Sequence, residues 1–459
     1  MRKLASFRQA KLSLVETMWL GLPVVVWFSY WPNIHFGRSD TMNFEISVVL
    51  IYCLVLALVG LPSVWRNRRE LVKNRQIWLV SLLVIYAGAT VLWSLNATRG
   101  FLTAGIIGVL YLIFLGFVAR RQQLVKLAPR LIRLTVGSAV VMSGLAIVQF
   151  LIGIWLSGEA TLLCAGCVSG QFGWPRPNVF AIEPQFFGSL LLPSLLIVSR
   201  QVLVKPVNRR IALTLLLLQI VLLLTMSRGA IYAYLLGVLI IMVMNYRQVK
   251  RIGQLMVVSL LALVISLSGQ GLAAISSPSI SESFGGAVAK SINQLSLGVI
   301  DLGQKSVPEP ASSSGKEAPA FDGYVEESTD IRLGRTEMAL GAWRKDLSTM
   351  LFGVGLGGAG TAISQAYPDQ IGAREIIQNE YVERLLERGL IGLMLFVVAL
   401  VWLIRRARSR WLMAIIVAFV FQWLFFSGYP NAFHIYLFMI AVWVLALPAP
   451  RVNTSVVDS

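Results

Sequence analysis

Charge is scarce in this 459-residue chain: Asp, Glu, Lys and Arg make up 14% of it, where a soluble domain carries roughly 25%. Hydrophobic residues make up 56%. That balance excludes a soluble enzyme and a disordered protein. Cysteine is scarcer still, with three residues, which excludes a secreted disulfide scaffold. Two histidines beside them leave little material for a metal site. Acidic residues number 22 against 40 Lys and Arg, and no Asp-x-Asp occurs. An enzyme that uses a nucleotide sugar with a metal needs carboxylates to hold the ion. A Walker-type phosphate loop is missing too, so nothing points to an ATPase or calls for a cofactor.

What the chain does have is apolar runs near the ~20 residues that cross a bilayer as a helix. Twelve are expected to be spans, near 13–31, 43–61, 77–95, 101–118, 134–156, 186–199, 211–226, 230–245, 253–270, 389–404, 410–428 and 432–448. The fold class is therefore all-α, a polytopic transmembrane bundle, because lipid offers an open backbone no hydrogen-bond partner. Alternate short loops are basic. One side collects 26 Lys and Arg, including Arg66, Arg69, Arg120, Arg130, Arg209, Arg251 and Arg405, and the short loops of the other hold Arg38, Arg99, Arg176 and Arg228. The basic side is expected to be cytoplasmic, with both termini inside. The net charge of +18 then reports topology and requires no nucleic acid. The basic start and the first run, which lacks a small-residue cleavage pattern, are expected to form a retained anchor.

Three regions follow: residues 1–269 with spans one to nine, 270–388 as a large extracytoplasmic loop, and 389–459 with the last three spans and a short tail. Residues 304–323, rich in Ser, Pro, Ala, Lys and Glu, are expected to be flexible. The Gly-rich FGVGLGGAG, 352–360, is read as a flexible turn between helices.

Carboxylates and arginines gather on the outer side. Arg228 lies between two apolar runs, where Gly229 permits a tight turn. It is either an arginine that snorkels to the headgroups or a bidentate clamp for phosphate. Arg332 and Arg335 share a helix face and, with Leu340 and Trp343, suggest an amphipathic helix on the bilayer. Glu183 stands in RPNVFAIEPQFFG, between Pro177 and Pro184, and is a candidate general base or acceptor ligand as well as a simple interfacial carboxylate. Glu380, Glu383 and Glu387 share a face with Arg384, a spacing that surface ion pairing also explains. Cys164 and Cys167, in CAGC, could form a short-loop disulfide, and His35 and His434 are isolated.

Three blocks, LTMSRGAIYAYLLG, RTEMALGAWRKDLSTMLFGVGLG and QNEYVERLLERGLIGLMLF, in that order, resemble the O-antigen ligase and polymerase superfamily. The resemblance implies a metal-independent, inverting glycosyltransferase without cofactor in the bacterial cytoplasmic (inner) membrane, its active site facing outside. The donor would be a polyprenyl-diphosphate-linked glycan and the acceptor a glycan or lipid hydroxyl. It implies that Arg228, Arg335, Arg332 and Arg176 neutralise the leaving diphosphate. Members of the family usually carry His where this chain has Gln378, and Gln is no base at neutral pH. Glu183 or Glu380 then supplies the base, with Gln378 positioning the acceptor hydroxyl, or the reaction runs on positioning and charge stabilisation.

Two rivals remain at this point. A flippase or other twelve-span transporter would also keep both ends inside, but its long connector belongs inside after the sixth span. A cell-wall glycan polymerase shares the carrier lipid but fits the QNEY…ERGLIG block less well.

Overall fold

A computed structural model of the chain describes residues 12–35, 45–155, 175–276, 283–296, 300, 324–368, 377–407, 409–426 and 433–446. The CAGC pair, the 304–323 stretch and the side chains of His35 and His434 lie outside the described residues.

The described fold is helical. In chain order the helices are α1 Leu14–Val25, α2 Val48–Arg66, α3 Arg68–Lys73, α4 Arg75–Ala89, α5 Ala97–Ala119, α6 Arg121–Trp155, α7 Pro184–Val204, α8 Arg209–Leu224, α9 Arg228–Met244, α10 Val249–Ser276, α11 Phe284–Leu295, α12 Tyr324–Trp343, α13 Leu347–Phe352, α14 Ala359–Ala366, α15 Glu380–Arg406, α16 Arg410–Gln422 and α17 Phe433–Ala446. A short antiparallel ribbon, β1 Asn33–His35 and β2 Glu45–Ser47, pairs Ile34 with Ile46. Each of the twelve apolar runs falls on a helix. Among the described residues, seven helices, counting the 3-10 turn Thr90–Trp93 with α4, are long and apolar enough to cross a membrane: α2, α4, α5, α6, α7, α10 and α15. Helices α1, α9, α16 and α17 are apolar but shorter.

Helix starts follow local chemistry. Ser13 and Glu16 form a capping box at α1, and the side chains of Ser47, Asn74, Asn96 and Asn208 accept main-chain N–H groups at the starts of α2, α4, α5 and α8. These caps answer donors that a helix leaves open at its first turn. Helix α6 departs from expectation. Residues 121–133, read as a basic loop, continue the span as one helix of 35 residues. At 1.5 Å per residue it measures about 52 Å, well beyond a ~30 Å hydrocarbon layer.

Helix α7 is the pillar. In its apolar window 83% of residues are buried, against 17–44% for the other six long helices. It packs against α6, α8, α9 and α16, and its amino end carries the segment that held Glu183.

A second, smaller core joins α12, α14 and the start of α15. Ala339, Ala342, Ala359, Ala362, Ile363, Ile377 and Leu386 are its buried members. The Ala339 and Ala342 face of α12 is thus covered by protein, while Leu333 is exposed.

The Gly-rich turn is corrected: it is a fixed strap. Gly353, Gly355 and Gly357 hold φ of 76°, 89° and 78°. Val354 N–H donates to Leu386 O and Gly355 N–H to Glu387 O, both at 2.9 Å, while Leu95 N–H donates to Val354 O at 3.1 Å. A Cβ at Gly355 would stand 2.3 Å from Ser94 Cα. The strap passes beside a break in α15 at Gly389 (φ 63°, ψ −174°), where a Cβ would meet Leu351 O at 2.2 Å. Only glycine combines that backbone with that proximity.

Gly355→Ala is therefore expected to destabilise the detergent-purified protein by about 2–4 kcal/mol. Gly334→Ala in α12, which has open space at its Cβ, serves as the control. Thermal unfolding followed by size-exclusion recovery measures both; equal midpoints would contradict the strap.

Candidate functional site

The site is built where four helix ends meet. The extended segment before α7 is pinned by a buried amide pair. Gln149 Nε2 donates to Asn178 Oδ1 at 2.8 Å, and Gln149 Oε1 accepts the N–H groups of Asn178 at 3.0 Å and Val179 at 2.9 Å. Asn178 Nδ2 closes a local turn on Ala181 O at 2.9 Å. With Asn178 fixed, Arg176 two residues earlier reaches the end of α8, where its Nε donates to Thr225 O at 2.9 Å.

Helix α8 turns into α9 within a few residues. The positive φ of that turn is at Met226 (50°). Gly229, which the sequence suggested for the turn, serves another need: its missing Cβ leaves room for Phe425 Cβ, which would stand 3.0 Å away. Arg228 opens α9 and is 8% exposed, so it does not snorkel into solvent. Tyr232, one turn on, lies within its electrostatic reach and donates its hydroxyl to Leu295 O of α11 at 2.5 Å. Ser227, the residue before Arg228, is 3% exposed and its Oγ makes no hydrogen bond among the described residues. A buried hydroxyl and a buried guanidinium thus stand together at a helix amino end, where N–H groups and the helix dipole both favour an anion.

Glu183 precedes α7 and feels two arginines, Arg176 and Arg332. Protein packed around its carboxyl raises its pKa from the ordinary 4.5, and the two guanidinium groups pull the other way. Gln185, two residues on, ties three elements. Its Nε2 donates to Phe425 O beyond α16 at 2.8 Å, and its Oε1 accepts from Arg332 Nη2 of α12 at 3.5 Å. Arg335 is partly buried one turn further along α12.

The start of α15 docks on the same end of α16. Glu380 N–H donates to Trp423 O at 2.9 Å and Tyr381 Oη to Val420 O at 2.6 Å. The carboxylate of Glu380 pairs with Arg384 Nη2 at 2.8 Å. The Arg384 guanidinium lies 3.9 Å above the Phe396 ring and also donates to Tyr436 Oη at 3.0 Å. Glu383, Glu387 and Arg388 are buried as well. Glu387 Oε1 accepts from Gly357 N–H of the strap at 2.8 Å and faces Arg99. This is a buried ionic cluster, and the surface-pairing explanation of the Glu380/Glu383/Glu387 spacing is corrected accordingly. Gln378, just ahead of the helix, presents a buried Oε1 with no hydrogen-bond partner among the described residues.

The structure therefore brings Arg176, Glu183 and Arg332 together beside the turn that carries Arg228. The start of α15, with Gln378 just ahead of it, meets the same α16 end through Glu380 N–H and Trp423 O, and the Glu380 carboxylate is held by Arg384. Sequence reasoning missed Ser227 and Gln185. Ser227 stood inside the Ser-Arg-Gly triplet, and Gln185 lay two residues from Glu183; the pairing with Phe425 that gives Gln185 its place crosses 240 residues.

Fold and site together define a polytopic helical membrane protein with Arg176, Glu183, Arg228 and Arg332 gathered at one end of its bundle. Residues 212–397 match the family model described as O-antigen ligase, and that match supports the O-antigen ligase superfamily. That stretch runs from α8 through the upper half of α15, so it carries Arg228, Arg332, Arg335, Gln378 and Glu380. Compared with curated proteins, the chain has no significant match. The match supports membrane glycan transfer of the O-antigen ligase type in general.

Two outcomes follow from the site. Arg384→Met takes the arginine partner from the buried Glu380 side chain, and is expected to lower stability by about 3–5 kcal/mol. Adding Glu380→Gln should restore part of that loss in a double-mutant cycle of unfolding midpoints. Because Glu183 has a raised pKa, the folded chain holds that proton more tightly than the unfolded one. The stability this supplies is complete below the unfolded value and is lost as pH rises through the folded one. Wild type should thus lose stability relative to Glu183→Gln as pH climbs from below 4.5 to neutral; parallel curves would contradict it.

Proposed function

We propose that the chain moves a glycan from a polyprenyl-diphosphate carrier to an acceptor hydroxyl, on the extracytoplasmic face of a bacterial cytoplasmic membrane. The observation that carries this reading is the amino end of α9. There Arg228 and the unsatisfied Ser227 Oγ are buried together, ready for phosphate oxygens. Arg176 and Arg332 add charge beside Glu183, and Arg335 stands one turn beyond Arg332.

In this mechanism the arginines take the role a divalent ion plays elsewhere. They stabilise the diphosphate as the bond between its oxygen and the anomeric carbon breaks. The acceptor oxygen attacks that carbon from the opposite face, and the configuration inverts. Gln378 Oε1, a buried acceptor without a donor, orients the incoming hydroxyl. Its proton passes to a carboxylate. Glu183 suits that step better than Glu380, whose carboxylate is tied to Arg384 at 2.8 Å. The raised pKa of Glu183 moves it toward the range of an effective base.

The decisive assay supplies a polyprenyl-diphosphate-linked oligosaccharide and candidate acceptors to purified protein in liposomes and measures released carrier diphosphate. Arg228→Ala is expected to cut release by about a hundredfold or more, and Ser227→Ala by about tenfold, with insertion and folding unchanged. Full activity in Arg228→Ala would overturn the assignment. A ladder of products would identify a polymerase, a single addition a ligase.

A further inference from the structure

The other end of the bundle carries a feature that the transfer reaction does not use. A cavity of about 240 Å³ lies among α1, α5, α6, α7, α16 and α17. Leu22, Leu124, Ile197, Ile415 and Ala441 line it, with Pro23 and Pro193, two prolines inside helices, facing it. Its one hydroxyl, on Thr135, already donates to Leu131 O at 2.8 Å. A space this large and this apolar is not a water site. Val125 at its rim is 45% exposed.

Two arginines stand close to the cavity along its own helices, without lining it. Arg121 stands one turn before Leu124 and donates through Nε to Val444 O at 2.9 Å. Arg200 stands three residues after Ile197, its guanidinium 4.6 Å from the ring centre of Trp411, which lines the cavity. Across the six lining helices there is one carboxylate, Glu16, and it accepts from Ser13 N–H at 2.9 Å. From Gln185 to Arg200 is fifteen residues along α7, about 22 Å of helix, so these arginines are separate from the turn that carries Arg228.

We propose that this is a binding site for an anionic phospholipid, with one acyl chain in the cavity and the phosphate between Arg121 and Arg200. Basic pockets between helices on the cytoplasmic side recognise such headgroups, and arginine provides the bidentate donors. The basic end of the bundle is the one that the positive-inside tendency assigns to that leaflet. A neutral lipid fills the cavity equally well but gains nothing from the arginines.

The test titrates phosphatidylglycerol or phosphatidylcholine into the full-length, delipidated protein in mild detergent and reads the unfolding midpoint, with native mass spectrometry to count bound lipid. Phosphatidylglycerol should raise the midpoint more than phosphatidylcholine and remain bound one per chain. Arg121→Gln with Arg200→Gln should erase the difference between the two lipids. Ala441→Trp, which fills the cavity and leaves the arginines in place, should erase it too; circular dichroism confirms that each variant is folded. Equal shifts with both lipids in wild type, an undiminished phosphatidylglycerol response in folded Ala441→Trp, or stabilisation by a polyprenyl phosphate alone would each overturn the proposal.

Discussion

The site depends on an elementary debt of the α-helix: its last turn leaves carbonyl oxygens with no donor in the helix itself. In water these are solvated. Inside a membrane protein they must be answered by other groups. At the end of α16 the donors come from elements distant in sequence. Val420 O takes the Tyr381 hydroxyl, Trp423 O the Glu380 N–H, and Phe425 O the Gln185 amide. At the end of α8, Thr225 O takes Arg176. One requirement of backbone chemistry thus docks α15 and α7 on a common post and sets an arginine beside the start of α9. A cation at a helix carboxyl end is also favoured by the dipole.

The same economy organises the charges of α15. Three acids and two arginines within one short helical segment would be costly in an apolar setting if left alone. Here they face one another, the strap and aromatic rings. Glu387 takes a strap N–H, and Arg384 is held by a carboxylate, a phenol and the face of Phe396. The glycines of the strap follow from that arrangement. For the strap backbone to lie against the backbone of Ser94 and of Glu387, no Cβ can intervene. Packing, polarity and backbone conformation are therefore one solution.

The bundle itself was legible because hydrophobic length is a strong signal, and all twelve runs are helices. The basic extension of α6 was not, since a charged amphipathic stretch reads alike as loop or as helix. Composition could not separate glycines that loosen a chain from glycines that a close approach demands. The 380/383/387 spacing shows which residues share a face but not what covers that face, so a buried cluster and a surface one look the same in sequence. Arg228 was conspicuous because an arginine between two apolar runs is rare. Ser227 and Gln185 carried no such mark; their places are set by what surrounds them, an unanswered hydroxyl in one case and a carbonyl on another helix in the other.

The break in α15 at Gly389 has a mechanical consequence. Below it the helix runs on through an apolar length that must follow the thickness of its bilayer, and helices meet a mismatch by tilting. Before it, residues Glu380–Arg388 are hydrogen-bonded to the end of α16 and to the strap. The break uncouples these two obligations. Past the break, α15 takes the direction set by the main core, where Phe396, Leu400 and Leu403 are buried, while the segment before it keeps the direction set by α16 and the strap, as a joint lets two sections of one mast answer to different stays.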